Sequence, residues 1–158
     1  MNAARFGCSR SVLARRPVAR GFALALALFF GCTVPALGDI RILSSGGGSV
    51  GQYLNFFAKV RQSGERVIID GPCLSACTLV LSAVPRKRIC VTSRAVLGFH
   101  APYLVDEKGR QYRSREITKT LHAAYPASVR SWIKRKGGLS KKTILLRGRE
   151  LGALYPRC

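Results

Sequence analysis

Apolar positions fall into two regimes along the chain: one long unbroken stretch near the N-terminus, then short runs punctuated by glycine and proline. Residues 40–43 form a short apolar run that stops at Ser44-Ser45-Gly46-Gly47-Gly48, the pattern of a strand ending in a loop whose backbone turns freely. Val50, Tyr53, Leu54, Phe57 and Val60 then recur at helical spacing, with Ser49 placed as an N-cap and Gly64 past the end. Residues 66–70 (RVIID) read as a second buried strand, broken by Gly71-Pro72, and residues 75–84 (SACTLVLSAV) as a buried second helix. Two more strands are predicted over 88–91 and 95–99, the latter ending at His100. The polar segment 103–113 reads as a loop. A third helical stretch begins at Ser114, is kinked or restarted by Pro126, and ends at Gly137-Gly138. One more short helix is predicted over 150–154.

Strands alternating with helices in this order predict an α/β domain built of βαβ units, its strands mostly parallel and its crossovers right-handed. The long apolar stretch stands apart from it. Residues 21–30 (GFALALALFF) follow a head carrying Arg5, Arg10, Arg15, Arg16 and Arg20 and no acid, and Ala36-Leu37-Gly38 offers small residues before Asp39. A basic head, a short greasy core and a small-residue exit predict an export signal over residues 1–38, with the domain over 39–158. The alternative is an uncleaved single-pass anchor over residues 21–37, which Pro35 interrupts. The expected location is therefore the periplasm or envelope.

Charge and cysteines sharpen this picture. The whole chain has 27 Lys and Arg against seven acids; without the five arginines of the head, 22 bases face the same seven acids. Such a surface attracts anions, and for an exported protein these are membrane or envelope groups. The basic clusters, such as Arg86-Lys87-Arg88 and Lys134-Arg135-Lys136, have no aromatics stacked between them, so no specific nucleic-acid partner is implied. Most are expected to form a solvated face. Cys73, Cys77, Cys90 and Cys158 belong to the domain, and an oxidising compartment favours disulfides, with three pairings open. Cys73 and Cys77 flank Ser75 and are read either as a lock on that turn or as small packing residues. Cys158 is a candidate to staple the tail to Cys90. The spacing does not match a zinc finger or ribbon.

The residues that carry chemistry lie at strand ends. In a parallel sheet the loops after the strands share one edge, where open α/β proteins place their sites. Ser75 opens a buried helix, near free N–H groups and the positive end of its dipole. His100 closes a strand on the same edge and is positioned to take the serine proton. The glycine loop completes the minimum set for acyl transfer. His122, on the third helix, reads as a solvated side chain.

At these residues the sequence resembles the Clp protease proteolytic subunit and its crotonase-superfamily relatives, especially small exported Clp-like proteins of bacteria. Ser44-Ser45-Gly46-Gly47-Gly48-Ser49-Val50 is similar to the family's S-P-G-G-S-V loop. Gly71-Pro72-Cys73-Leu74-Ser75-Ala76 is similar to its G-x-x-x-S nucleophile turn, and Leu97-Gly98-Phe99-His100-Ala101-Pro102 to its histidine segment. The likeness covers residues 40–102. It implies a Clp/crotonase fold truncated on its N-terminal side and a serine peptidase with Ser75 as nucleophile and His100 as base. The N–H groups of Gly48 and Ala76 would form the oxyanion hole, and no cofactor or metal would be needed. Relatives form rings or stacked trimers, so a homo-oligomer is a possible assembly. The family's aspartate has no counterpart here: its region holds Lys141, Lys142 and Thr143, and neither Glu116 nor Glu150 sits in a matching motif. A Clp-fold protein that binds without hydrolysing is thus a second expectation. A third comes from Gly46-Gly47-Gly48-Ser49-Val50-Gly51, which satisfies G-x-G-x-x-G after a strand, with Asp70 ending the next strand where a dinucleotide ribose is held.

Overall fold

A computed structural model describes residues 38–158 of the chain. The export signal or anchor expected over residues 1–38 lies, apart from Gly38, outside the described residues, as do Cys8 and Cys32. Among the described residues no helix is long and apolar enough to cross a membrane.

The chain forms β1 (Asp39–Ile42), α1 (Val50–Ser63), β2 (Arg66–Ile69) and β3 (Pro72–Leu74). A 3₁₀ turn over Ser75–Leu79 leads into α2 (Val80–Ala83), followed by β4 (Ile89–Val91) and β5 (Val96–Phe99). A hairpin of β6 (Leu104–Val105) and β7 (Gln111–Tyr112) precedes α3 (Arg115–Ala124), α4 (Ala127–Arg135), β8 (Ile144–Arg147) and α5 (Gly148–Leu154). The class is mixed α/β, and pairing is mostly parallel: β1-β2-β4 is wholly so. The stripe on α1 buries Phe57 and Val60, and Gly64 caps the helix in the left-handed conformation that a side chain resists.

Four expectations are corrected. The predicted strands do not lie in one sheet, because Gly71-Pro72 does not simply break the second strand. The chain steps there into a second sheet, in which β3 pairs parallel with β5 and β8 pairs antiparallel with β5. Only glycine fits at the step, since a methyl on Gly71 would overlap the Leu43 carbonyl oxygen. Pro72 is tolerated as the first residue of its strand. Secondly, β8 forms where only a short helix over 150–154 is predicted in the C-terminal stretch. Thirdly, the loop read over 103–113 contains the β6-β7 hairpin, turned at Gly109 with φ 76°. Fourthly, the second helix is α-helical only from Val80, because its start is held in a tighter 3₁₀ turn.

One core joins the two sheets. Phe57, Val67, Ile69, Val80, Leu97 and Ile133 are almost wholly excluded from solvent. Phe99 packs edge-on against Tyr125 at 5.3 Å and tilted against Trp132 at 5.8 Å, which binds α4 to β5. Cys90 and Cys158 form a disulfide, and Val91 exchanges backbone hydrogen bonds with Pro156 and Cys158, so the tail runs beside β4.

Candidate active site

The register of β3 and β5 sets the site. Leu74 pairs with Gly98, so the residues that follow, Ser75 on one strand and His100 on the other, emerge from the same rim. On the other side of β3, Ser45 donates its N–H to the Pro72 carbonyl and accepts from the Leu74 N–H, both at 2.8 Å. The glycine loop, the serine turn and the histidine segment therefore stand side by side.

Ser75 Oγ lies 2.8 Å from His100 Nε2. The other ring nitrogen, Nδ1, lies 2.8 Å from the carbonyl oxygen of Ala101, which can only accept. Nδ1 consequently carries the proton, and Nε2 is left as the acceptor for the serine O–H. The carbonyl fixes the tautomer that a carboxylate fixes in a serine protease triad. It does so without a negative charge, so it stabilises an imidazolium less. Ala101 is itself held, its N–H donating to the Ser140 carbonyl at 2.8 Å.

Ser75 is the one residue other than glycine with positive φ among the described residues, at 55°. That conformation costs a side-chain-bearing residue roughly 1–3 kcal/mol and needs support from its surroundings. Three contacts supply it. Thr78 Oγ1 donates to the Ser75 carbonyl at 2.7 Å, and having spent its proton there accepts one from Tyr125 at 2.7 Å. Burial raises the Tyr125 pKa despite the Thr78 bond, which keeps the phenol protonated as this chain of bonds requires. A disulfide between Cys73 and Cys77 closes a loop around Ser75. Gly47, with φ 88°, packs so closely that a Cβ would lie 2.5 Å from Ser75 Cβ and 2.9 Å from the Ala76 nitrogen.

The oxyanion-hole residues that the resemblance implies are Gly48 and Ala76. Ala76 lies in the first turn of the 3₁₀ segment, where an N–H has no intrahelical acceptor. Gly48 lines the same groove as Ser75 and His100, and its N–H makes no intramolecular hydrogen bond among the described residues. Gly47, by contrast, directs its N–H to Ser45 Oγ, which in turn bonds Tyr53 Oη at 2.7 Å. The groove has a volume of about 760 Å³ and is walled by Val50, Tyr103, Leu104, Val105, Ile117 and Leu121.

No carboxylate bonds the His100 ring among the described residues. Glu116 is exposed on the groove wall, Glu150 pairs with Lys136 at 2.9 Å, and Asp106 pairs with Arg110 at 2.8 Å. Asp70, the residue a dinucleotide ribose would need, is 4% exposed and already accepts from Thr92, Arg94 and Arg41. All four cysteines of the described residues are in disulfides, and no cluster of three His, Cys, Asp or Glu among those residues could hold a metal ion. Sequence reasoning missed Gly47, Thr78, Tyr125 and the Ala101 carbonyl. Only Gly47 carried a local signal, as the middle of three consecutive glycines; the others act through contacts distant in the chain or through the backbone.

No protein-family model matches the chain, and no curated protein matches it.

Proposed function

We propose that this protein is a serine hydrolase of the Clp type, exported to the cell envelope and acting on peptides. The observation that carries the reading is the 2.8 Å contact between Ser75 Oγ and His100 Nε2 at the base of an open apolar groove. Ser75 Oγ attacks the peptide carbonyl carbon while its proton passes to His100 Nε2. The oxyanion that forms accepts from the N–H groups of Gly48 and Ala76. His100 then gives the proton to the leaving amine, and water, activated by the same ring, hydrolyses the acyl-enzyme. Groove walls of aliphatic and tyrosine side chains favour extended peptides with apolar residues near the cleaved bond. Two disulfides suit an oxidising compartment.

His100 faces a carbonyl rather than a carboxylate, and this favours one second reading. In the serine protease template, loss of the aspartate costs about 10⁴ in turnover. A protein of the same fold that binds peptides without cleaving them fits that observation. Labelling of the purified protein by a fluorophosphonate separates the two. The hydrolase reading requires label on the parent chain, none on Ser75→Ala and a much slower reaction on His100→Ala. An unlabelled parent chain that still binds peptide leaves the second reading standing.

A further inference from the structure

A second cavity, of about 610 Å³, lies on the far side of α3 from the serine groove. Helical spacing separates the two: Glu116, Ile117, Thr120 and Leu121 face the groove, whereas Arg115, Thr118, Lys119 and His122 face the second cavity. Arg113 and Lys134 complete its charged wall, and the loop through Gly137, Gly138 and Ser140 its floor. No carboxylate lines it. Arg113, Arg115, Lys119 and Lys134 make no ion pair and no side-chain hydrogen bond among the described residues. Elsewhere in the domain, Arg41 and Arg94 serve Asp70, Arg110 serves Asp106, and Lys136 serves Glu150. Other unpaired cations, such as Lys87 and Arg149, stand singly on the exposed surface, whereas these four converge on one concavity.

We propose that this cavity binds a phosphate ester through Arg113, Arg115, Lys119 and Lys134. Four cations around one space repel one another, and a ligand relieves that repulsion best if it is multiply charged. A phosphate monoester carries roughly −1.5 to −2 charges at neutral pH and presents three acceptor oxygens, against one charge and two oxygens for a carboxylate. Guanidinium groups match phosphate with paired donors, and lysines add point charge. The Thr118 hydroxyl and the His122 ring supply further donors at the wall. The volume exceeds what a bare phosphate fills and falls in the range of small organic ligands, so the phosphate is expected to carry an organic body. That body would rest on Ala101, Leu139 and the two glycines.

The test is calorimetric titration of the purified full chain with glycerol 3-phosphate, with vesicles of mixed phosphatidylcholine and phosphatidic acid, whose headgroup is also a phosphate monoester, as a parallel arm. Arg113→Ala/Arg115→Ala should weaken saturable binding by at least about tenfold, because charge-assisted hydrogen bonds are lost. Lys87→Ala/Arg149→Ala removes the same charge from exposed positions that make no ion pair, and should leave binding nearly unchanged. Binding of the soluble ester with this pattern assigns the site to a free phosphate ester. Vesicle binding alone, with the same pattern, assigns it to a lipid headgroup. Equal weakening by both double variants would reduce the effect to net charge and overturn the proposal, as would the absence of saturable binding to either probe. Ser75→Ala should bind as the parent chain does, so the result is independent of whether Ser75 is a nucleophile.

Discussion

Thr78 and Tyr125 meet in the core with their hydroxyl oxygens 2.7 Å apart, beneath the turn that presents Ser75. Thr78 passes the constraint upward by donating to the Ser75 carbonyl. A left-handed serine is thus anchored from α3's C-terminal end, through a tyrosine 47 residues beyond Thr78 in sequence. Tyr125→Phe removes one buried hydrogen bond and should cost about 1 kcal/mol in urea unfolding. If the tyrosine positions Ser75, fluorophosphonate labelling should also slow severalfold under conditions where the variant remains folded. An unchanged labelling rate would make the pair purely structural.

Gly47 is the residue whose replacement should damage the site most directly. Its φ of 88° disfavours any side chain, and a Cβ would press on Ser75 and on the Ala76 nitrogen. Gly47→Ala should destabilise the fold by more than about 1 kcal/mol and abolish labelling. Gly46→Ala, where a Cβ meets nothing within 4 Å, is the matched control and should do neither.

The two disulfides should separate in their effects. Cys73–Cys77 encloses the nucleophile turn, whereas Cys90–Cys158 ties the tail to β4 across 68 residues. Cys90→Ala/Cys158→Ala should lower stability by roughly 2–5 kcal/mol and leave the labelling of folded protein unchanged. Cys73→Ala/Cys77→Ala should slow labelling more than its loss of stability explains. The reverse ranking would show that the loop around Ser75 needs no covalent closure.

Acid should destabilise the protein through Asp70. The Thr92 hydroxyl, then Arg94 and Arg41, hold its carboxyl well below the usual value of 3.8, with burial opposing them. The folded state therefore binds this proton less tightly than the unfolded chain does. The stabilisation is fully present above the unfolded value near pH 4 and is lost as pH falls below it toward the folded value. Urea midpoints measured from neutral pH down to pH 3 should fall for the parent chain and fall less steeply for Asp70→Asn. Asp106 and Glu150 are shifted in the same direction, so some slope should remain. An identical slope in the variant would assign the acid sensitivity to other carboxylates.

Local signals marked the elements and the reactive residues: helical spacing on α1, the glycines before it, a serine after Gly71-Pro72, and a histidine closing a strand. Those features depend on side-chain period and backbone freedom within a few residues, which is why they were legible in the chain alone. Nothing comparable marked β3, three residues long and opening with proline, or β8, whose partner β5 is more than 40 positions earlier. The step between sheets at Gly71, the Ala101 carbonyl in place of a carboxylate, and the Thr78–Tyr125 support beneath Ser75 were decided by tertiary structure. Each arises from contacts between segments far apart in sequence or from a backbone atom that every residue possesses, and neither leaves a mark on residue type.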